Sequence, residues 1–410
     1  MPLMTTPPGT VPAHVRKARV AVAALFLTNG ALFANLLPRF PAIKESLNLS
    51  NAEFGVAVAA FPLGALLAGL AAGFLIRRFS SARVAVAGTV LTALGLMAAG
   101  LAPSGALFAL GLGAAGAMDA ITDVAQNSHG LRVQKLFRRS ILNSFHAVWS
   151  MGAVLGGLMG AAAAGLGVPV PVHLMVSGVL FATVSLTCLR FLLPGPEPLE
   201  AAPAVPDGAA RSNAKHDGAR VRRSGGSTKW LVLLALVLIA SAGSLVEDAG
   251  NTWAAVYLTG EFSAVASVAG LGFVALVGAQ FIGRMAGDSL VDRFGQRRVA
   301  QAGGLIVALG MGQALLFPSI GGTIAGFAAA GFGISTLVPA AMHAADNLPG
   351  LRAGTGLTLV GWLMRVSFLV SPPIVGAVAD ATSLRTGLLV VPLAGVLVLL
   401  LSPVLAKKAG

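Results

Sequence analysis

A chain of 410 residues that is 56% hydrophobic and only 10% charged is not a soluble globular domain, whose charged share is about 25%. Its net charge of +13 reads as basic cytoplasmic loops of a multi-pass membrane protein rather than as a nucleic-acid footprint. A single cysteine, Cys188, excludes an internal disulfide.

Residues 1–17 read as a cytoplasmic tail whose basic patch begins with Arg16 and Lys17. A cleaved signal peptide has the same basic-then-apolar order. Eleven further apolar runs follow, so the first run is expected to stay as an uncleaved helix. The runs fall at 18–38, 53–76, 84–102, 105–130, 140–164 and 169–193, then at 230–258, 263–286, 299–317, 321–345, 354–378 and 383–404. Each is near the ~20 residues that span a bilayer. Residues 194–229 are rich in Pro, Gly, Ala, Ser and mixed charge and read as a flexible cytoplasmic linker. The expected fold is all-α and integral to the membrane: twelve transmembrane helices in two pseudo-symmetric six-helix bundles, 18–193 and 230–404, with a short cytoplasmic tail at 405–410. With both termini inside, 24 of the 28 basic residues fall on cytoplasmic tails, loops and helix ends. Only Arg39, Lys44 and Arg385 fall outside, and Arg365 lies mid-span. That bias sets the expected orientation in an inner membrane.

An internal repeat supports the division. Gly73-Phe-Leu-Ile-Arg77-Arg78-Phe79-Ser80 follows the second run, and Asp288-Ser-Leu-Val-Asp292-Arg293-Phe294-Gly295-Gln-Arg297-Arg298 follows the eighth, 215 residues later. Two similar six-helix halves are a transporter architecture, with the substrate site near the midplane between them.

The second copy of this repeat resembles the loop signature of the major facilitator superfamily, with Asp292, Arg293, Gly295, Arg297 and Arg298 in place. The first copy departs from it: Arg77 stands where the Asp would be, and Ser80 where the Gly would be. Four further stretches resemble the fucose-permease-like branch, including its YbjJ-type inner-membrane proteins. They are Asn35-Leu-Leu-Pro38-Arg39-Phe40-Pro41, Asp123-Val-Ala-Gln-Asn127, Asn143-Ser-Phe-His146-Ala-Val-Trp149 and Glu247-Asp248-Ala-Gly-Asn-Thr-Trp253. The resemblance implies proton-coupled import, with Asp123 in the position of a proton-coupling Glu. Ala34 stands where those permeases carry a second acid, which argues against fucose itself as the solute.

The stretch Gly113–His129 holds Asp119, Asp123 and Asn127 at i, i+4 and i+8, one stripe of a helix. Carboxylates inside a membrane are costly and mark a functional site; the bland alternative is a helix end in water. Counting from a turn near Lys135, Asp123 lies 12 residues before and His146 11 after, and Asn127 and Asn143 each lie 8 away. In an antiparallel pair these residues share a depth. Asp123 is expected to carry a proton, tuned by Asp119, His146 and Glu247; the alternative is a set of fixed bonds between helices. Glu247 and Asp248 point about 100° apart, so one is expected in the cavity and the other packed or capping. Arg365 is a mid-span cation that needs an anion: Glu247, Asp248, a span-4 Asp or the solute. Asn29 and Gln280 offer hydrogen bonds to a solute or between helices. Trp149 and Trp362 offer a ring for stacking, whereas Trp253 is expected at the interface.

There is no Walker loop, metal-ligand spacing or nucleophile elbow, so no enzyme, no cofactor and no metal is expected, and a proton gradient is the available energy source. The partners expected are a small-molecule substrate and the lipid bilayer, with the chain a monomer. The rival readings are a proton-antiport exporter of drugs or secondary metabolites, and a non-transporting sensor or scaffold.

Overall fold

The computed structural model describes residues 11–137, 141–195, 226–349, 351 and 355–405. The expected linker lies outside these residues, apart from Pro194, Gly195 and the helical 226–229. Among the described residues there are twelve helical spans and no strand. They are span 1 (Ala13–Ser46), span 2 (Asn51–Phe79), span 3 (Ser81–Gly100), span 4 (Gly105–Phe137), span 5 (Leu142–Gly165) and span 6 (Val170–Cys188). The second half holds span 7 (Lys229–Phe262), span 8 (Ala266–Phe294), span 9 (Gln296–Leu316), span 10 (Ile320–Asp346), span 11 (Thr358–Ala381) and span 12 (Leu384–Val404).

Several spans run past their apolar runs. Span 1 does not end at Pro38. Pro38 has no N–H to give, so the α-helix tightens into a 3₁₀ turn at Leu37–Arg39 and resumes as Phe40–Ser46. Arg39 is therefore not a loop residue. It is buried, and its Nη2 donates to the Val168 carbonyl at 2.5 Å. Span 2 starts on a capping box: the Ser50 hydroxyl accepts from Glu53 N at 3.2 Å, and Ser50 N donates to the Glu53 carboxylate at 2.9 Å. Span 8 continues to Phe294, so Arg284, expected at the helix end, lies more than two turns inside the helix.

Exposed side chains such as Leu67, Leu70, Leu309 and Leu400 would be a liability in water. On twelve spans of this length they form the lipid-facing surface. Tight contacts inside come from small residues. Gly152, Gly156 and Gly160 of span 5 lie against the backbone carbonyls of Leu27, Ala31 and Asn35 of span 1, where an added Cβ would collide. The Gly-x-x-x-Gly series is thus matched by an i, i+4 series of carbonyls on its partner.

The halves meet along spans 2 and 11 and along spans 5 and 8. Six spans on along the chain, span 2 becomes span 8 and span 5 becomes span 11, so the two seams are pseudo-symmetric copies of each other. The close approaches on them lie toward the face opposite the two chain ends. Gly55 meets the Pro372 carbonyl, Gly376 meets the Asn51 carbonyl, Gly157 meets Phe273 and Gly165 meets Ser267. Asp380 of span 11 also accepts from Asn51 N at 2.9 Å, Asn51 Nδ2 at 2.8 Å and Ala52 N at 2.8 Å, holding the start of span 2. The molecule is shut on that face.

The two loop copies share geometry as well as sequence. Ser80 has φ 78° and ψ 150°, and Gly295 has φ 84° and ψ 152°. Arg78 stacks over Phe79 at 5.6 Å, and Arg293 over Phe294 at 5.2 Å. This backbone region is essentially reserved for glycine, so the first copy is strained where the second is not.

Candidate functional site between the two halves

Span 4 carries its polar stripe well inside the helix. Asp119 Oδ1 accepts from Asn29 Nδ2 at 2.7 Å, and Asn29 Oδ1 accepts from Trp149 Nε1 at 2.8 Å. Three spans are thereby tied together: 4, 1 and 5. Asn29 is buried and uses its amide in both directions, so it serves the helix contact. Trp149 likewise spends its N–H on Asn29.

Asp123 lies one turn beyond Asp119 and is exposed, although it belongs to a bilayer-spanning segment. Its Oδ1 accepts from Asn127 Nδ2 at 2.9 Å, and the same amide donates to the Asp123 carbonyl at 2.8 Å. Asn127 therefore turns back on its own helix rather than across to Asn143, which is exposed. His146 is the group of span 5 whose charge acts on Asp123, in keeping with their similar distance from the turn. Spans 4 and 5 are not closely packed, however, and span 1 lies along span 5 between them. His146 sets its ring edge against Phe26 of span 1 at 5.3 Å.

The facing wall comes from the second half. Glu247 Oε2 accepts from Gln280 Nε2 at 2.9 Å and lies 3.9 Å from Arg284 Nη2. Gln280 thus makes an inter-helix bond. Asp248 points away from this group and is buried beside Ser371 and Thr252; its Oδ2 has no hydrogen-bond partner. Arg365 is exposed, and among the described residues no carboxylate lies within 4.0 Å of it. Its field acts on Asp123 from the opposite half. Of the anions open to it in the sequence, Glu247 is taken by Arg284 and Gln280. Asp380, Gly376, Pro372, Arg365 and Trp362 fall within one quadrant of span 11 at 100° per residue, so Trp362, which is exposed, shares the stripe that faces the first half.

Asp123, His146, Arg284, Arg365 and Trp362 are all exposed although they belong to spanning helices, which marks a cleft on the side of the shut seam nearer the chain ends. One wall presents Asp123 and His146; the other presents Arg365, the Arg284–Glu247 pair and Trp362. Trp253, expected at an interface, is instead fully buried against Phe54 of the first half, with ring centroids 5.7 Å apart. Of the loop residues, Gly73 lies near the start of the last helical segment of span 2, Ala72–Phe79, beside Arg77, which is exposed, as are Asp288, Asp292 and Arg293. Arg297 and Arg298 open span 9.

Four residues that shape the molecule were not singled out as site residues from the sequence. Arg284 falls within the expected 263–286 run but close to its end, so from the sequence it reads as a basic helix end rather than as a site residue. His129 is buried, pairs its Nδ1 with Ser81 Oγ at 2.8 Å, and accepts at Nε2 from Leu193 N at 3.1 Å. With Arg132, which donates to the Pro194 and Gly195 carbonyls at 3.0 and 3.4 Å, it pins the end of the first half to span 4. Asp380 closes the opposite face. Its partners lie 329 and 328 positions away, and no local pattern announces them.

The sequence matches the Major Facilitator Superfamily over residues 22–279. The chain belongs to that superfamily. It is 32% identical over 386 residues to an uncharacterized transporter, y4wD, of Sinorhizobium fredii (strain NBRC 101917 / NGR234), covering 94% of this chain and 97% of that one. Its fold is that of superfamily transporters of known structure. A bacterial homolog of the human lysosomal transporter Spinster, in an inward-facing and occupied conformation, superposes with a TM-score of 0.72 at 14% identity, covering 96% of this chain and 97% of that one. The D-xylose-proton symporter superposes with a TM-score of 0.69 at 13% identity, covering 95% and 97%. As a member of this superfamily the chain is a membrane transporter of a small solute and not an enzyme.

Proposed function

We propose that this transporter imports a small polar solute, sugar-like or another metabolite, across the inner membrane by proton-coupled alternating access. The observation that carries the reading is Asp123. It is a carboxylate deep in a spanning helix yet exposed, with His146 at the same depth on span 5 and Arg365 on the opposite half. Ionised, Asp123 balances the field of Arg365; protonated, it releases that guanidinium to a solute oxygen or anionic group. Moving a net charge through a low-dielectric passage is costly, so the proton and the solute travel favourably together. Asp119, bonded through Asn29, and Glu247, bonded through Gln280 and Arg284, set the walls on either side. Asn143 and Trp362 extend the solute surface.

With both termini in the cytoplasm, as the basic loops favour, the open face is the inner one. The shut seam of Gly55, Pro372, Gly376 and Asp380 is then the outer gate. The loop residues Asp292, Arg293, Gly295, Arg297 and Arg298, with Gly73 and Arg77 in the first half, lie at the inner ends of the spans that must move.

The test starts from a thermal-shift screen of purified protein against sugars, organic acids and amphipathic drugs. The stabilising solute is then added to inverted vesicles while external pH is recorded. Symport moves the proton in the direction of the solute, so the external medium becomes more alkaline as solute enters the vesicle. Acidification on solute entry marks antiport and overturns the import reading; solute movement with no pH change overturns proton coupling.

A further inference from the structure

Away from the cleft, spans 1 and 6 enclose a groove of about 610 Å³ on the outer surface of the first half. Its walls are Val20, Ala21 and Ala24 of span 1, with Val184, Cys188 and Phe191 from span 6 and the turn after it. Arg16 and Lys17 stand at one end, and both are exposed. The two helices run antiparallel, so Phe191 lies at the end with Arg16 while Val184 and Ala24 lie deeper. From Arg16 to Ala24 is eight residues, about 12 Å along a helix. The groove thus begins at headgroup level, near the helix start at Ala13, and descends into the hydrocarbon.

Among the described residues along its two walls the charge has one sign. The first acidic residue in the chain is Glu45, and none occurs between Asp123 and Glu197, so neither wall carries a carboxylate. Neither Arg16 nor Lys17 has an ion-pair partner among the described residues. Arg190 adds a further exposed cation near the same end of span 6. A ligand that fits has a negative headgroup and an apolar tail that lies along Val20, Ala24 and Val184.

We propose that this groove is a binding site for one anionic phospholipid of the surrounding leaflet. The phosphate pairs with Arg16 and Lys17, and an acyl chain fills the apolar trough. Basic residues at this depth attract anionic lipid, each contributing roughly fivefold, and their stems lie along apolar surface while the charge stays at the interface. The site is separate from the solute cleft and does not depend on what the cleft carries.

Cys188 is the only cysteine and is buried in the groove wall, whereas Thr187 lines the groove and is exposed, so a cysteine placed at Thr187 in a Cys188→Ser background reports occupancy. The full chain carrying Thr187→Cys and Cys188→Ser is reconstituted in phosphatidylcholine alone or with one-fifth phosphatidylglycerol, and the rate of modification of that thiol by N-ethylmaleimide, an uncharged reagent, is measured. Native mass spectrometry of the same samples counts retained phosphatidylglycerol. The expected result is slower modification with phosphatidylglycerol and one retained anionic lipid. R16Q/K17Q should lose both, with preference falling by up to roughly thirtyfold. Ala24→Phe, which fills the deep end, should lose the retained lipid with both cations intact. The proposal is overturned if R16Q/K17Q keeps the same protection and the same retained lipid, or if both lipid mixtures give equal rates and counts. Protection by inorganic phosphate in phosphatidylcholine alone also overturns it, because the groove end would then be an ion site.

Discussion

Replacing Asp380 by Ala should unlatch the shut face. The carboxylate of Asp380 accepts three hydrogen bonds, from Asn51 N, Asn51 Nδ2 and Ala52 N, at 2.8–2.9 Å. It thereby acts as a cap for span 2 delivered from the other half of the molecule. A cap contributes about 1 kcal/mol, and a negative charge at a helix N-terminus adds roughly 0.3–1 kcal/mol. Asp380 is exposed, and water screens part of this, so about 1–2 kcal/mol is the working figure. All of it belongs to the closed arrangement, because separating spans 2 and 11 breaks these bonds while water satisfies the freed groups. Asp380→Ala should therefore raise the population open on that face by roughly 5- to 30-fold, at 1.4 kcal/mol per tenfold. Ser267 lies against Gly165 inside the shut seam, so a cysteine placed there in a Cys188→Ser background reports opening. Its labelling by a charged thiol reagent on purified protein should accelerate by that factor in Asp380→Ala. A folded Asp380→Ala protein whose labelling rate stays within twofold of the parent would refute the latch.

Ser80 occupies a backbone region that costs a non-glycine residue roughly 1–3 kcal/mol. Ser80→Gly should raise thermal stability, the gain being reduced by the roughly 0.5–1 kcal/mol that glycine loses in chain entropy; a lower melting temperature would contradict the strain. Asn29→Leu leaves both Asp119 Oδ1 and the Trp149 N–H without their partner, at about 1–3 kcal/mol for each buried group. Denaturant titration should show the loss, and Trp149→Phe in the same background should then cost little more. Gly156→Val drives a side chain into the Ala31 carbonyl of span 1, backbone against backbone, so it should destabilise by at least about 1–3 kcal/mol. Gly167→Ala, where nothing lies within 4 Å, serves as a control that tests only its positive φ.

The spans were legible because apolar length is a one-dimensional signal. The repeat was legible for the same reason: an offset of 215 residues predicted that Ser80 and Gly295 are equivalent, and their dihedrals agree within a few degrees. Ends were harder. Pro38 reads as a stop, but span 1 passes through it as a 3₁₀ turn, and the apolar run of span 8 fades before its helix does. Counting outward from a turn gave Asp123 and His146 the same depth, yet equal depth does not make two helices neighbours. Span 1 lies between them, and its Asn29 supplies the bond to Asp119. The closure of one face was illegible, since Asn51 and Asp380 are joined only by the docking of one half on the other.

The central claim is that Asp123 carries the coupled proton. With the solute found by thermal shift, Asp123→Asn protein in liposomes should still exchange labelled solute down its own gradient, because the asparagine mimics the protonated, neutral carboxyl. It should no longer accumulate solute when only a pH gradient is imposed. Accumulation by Asp123→Asn at the parent level under a pH gradient would contradict the claim and move the proton to another group.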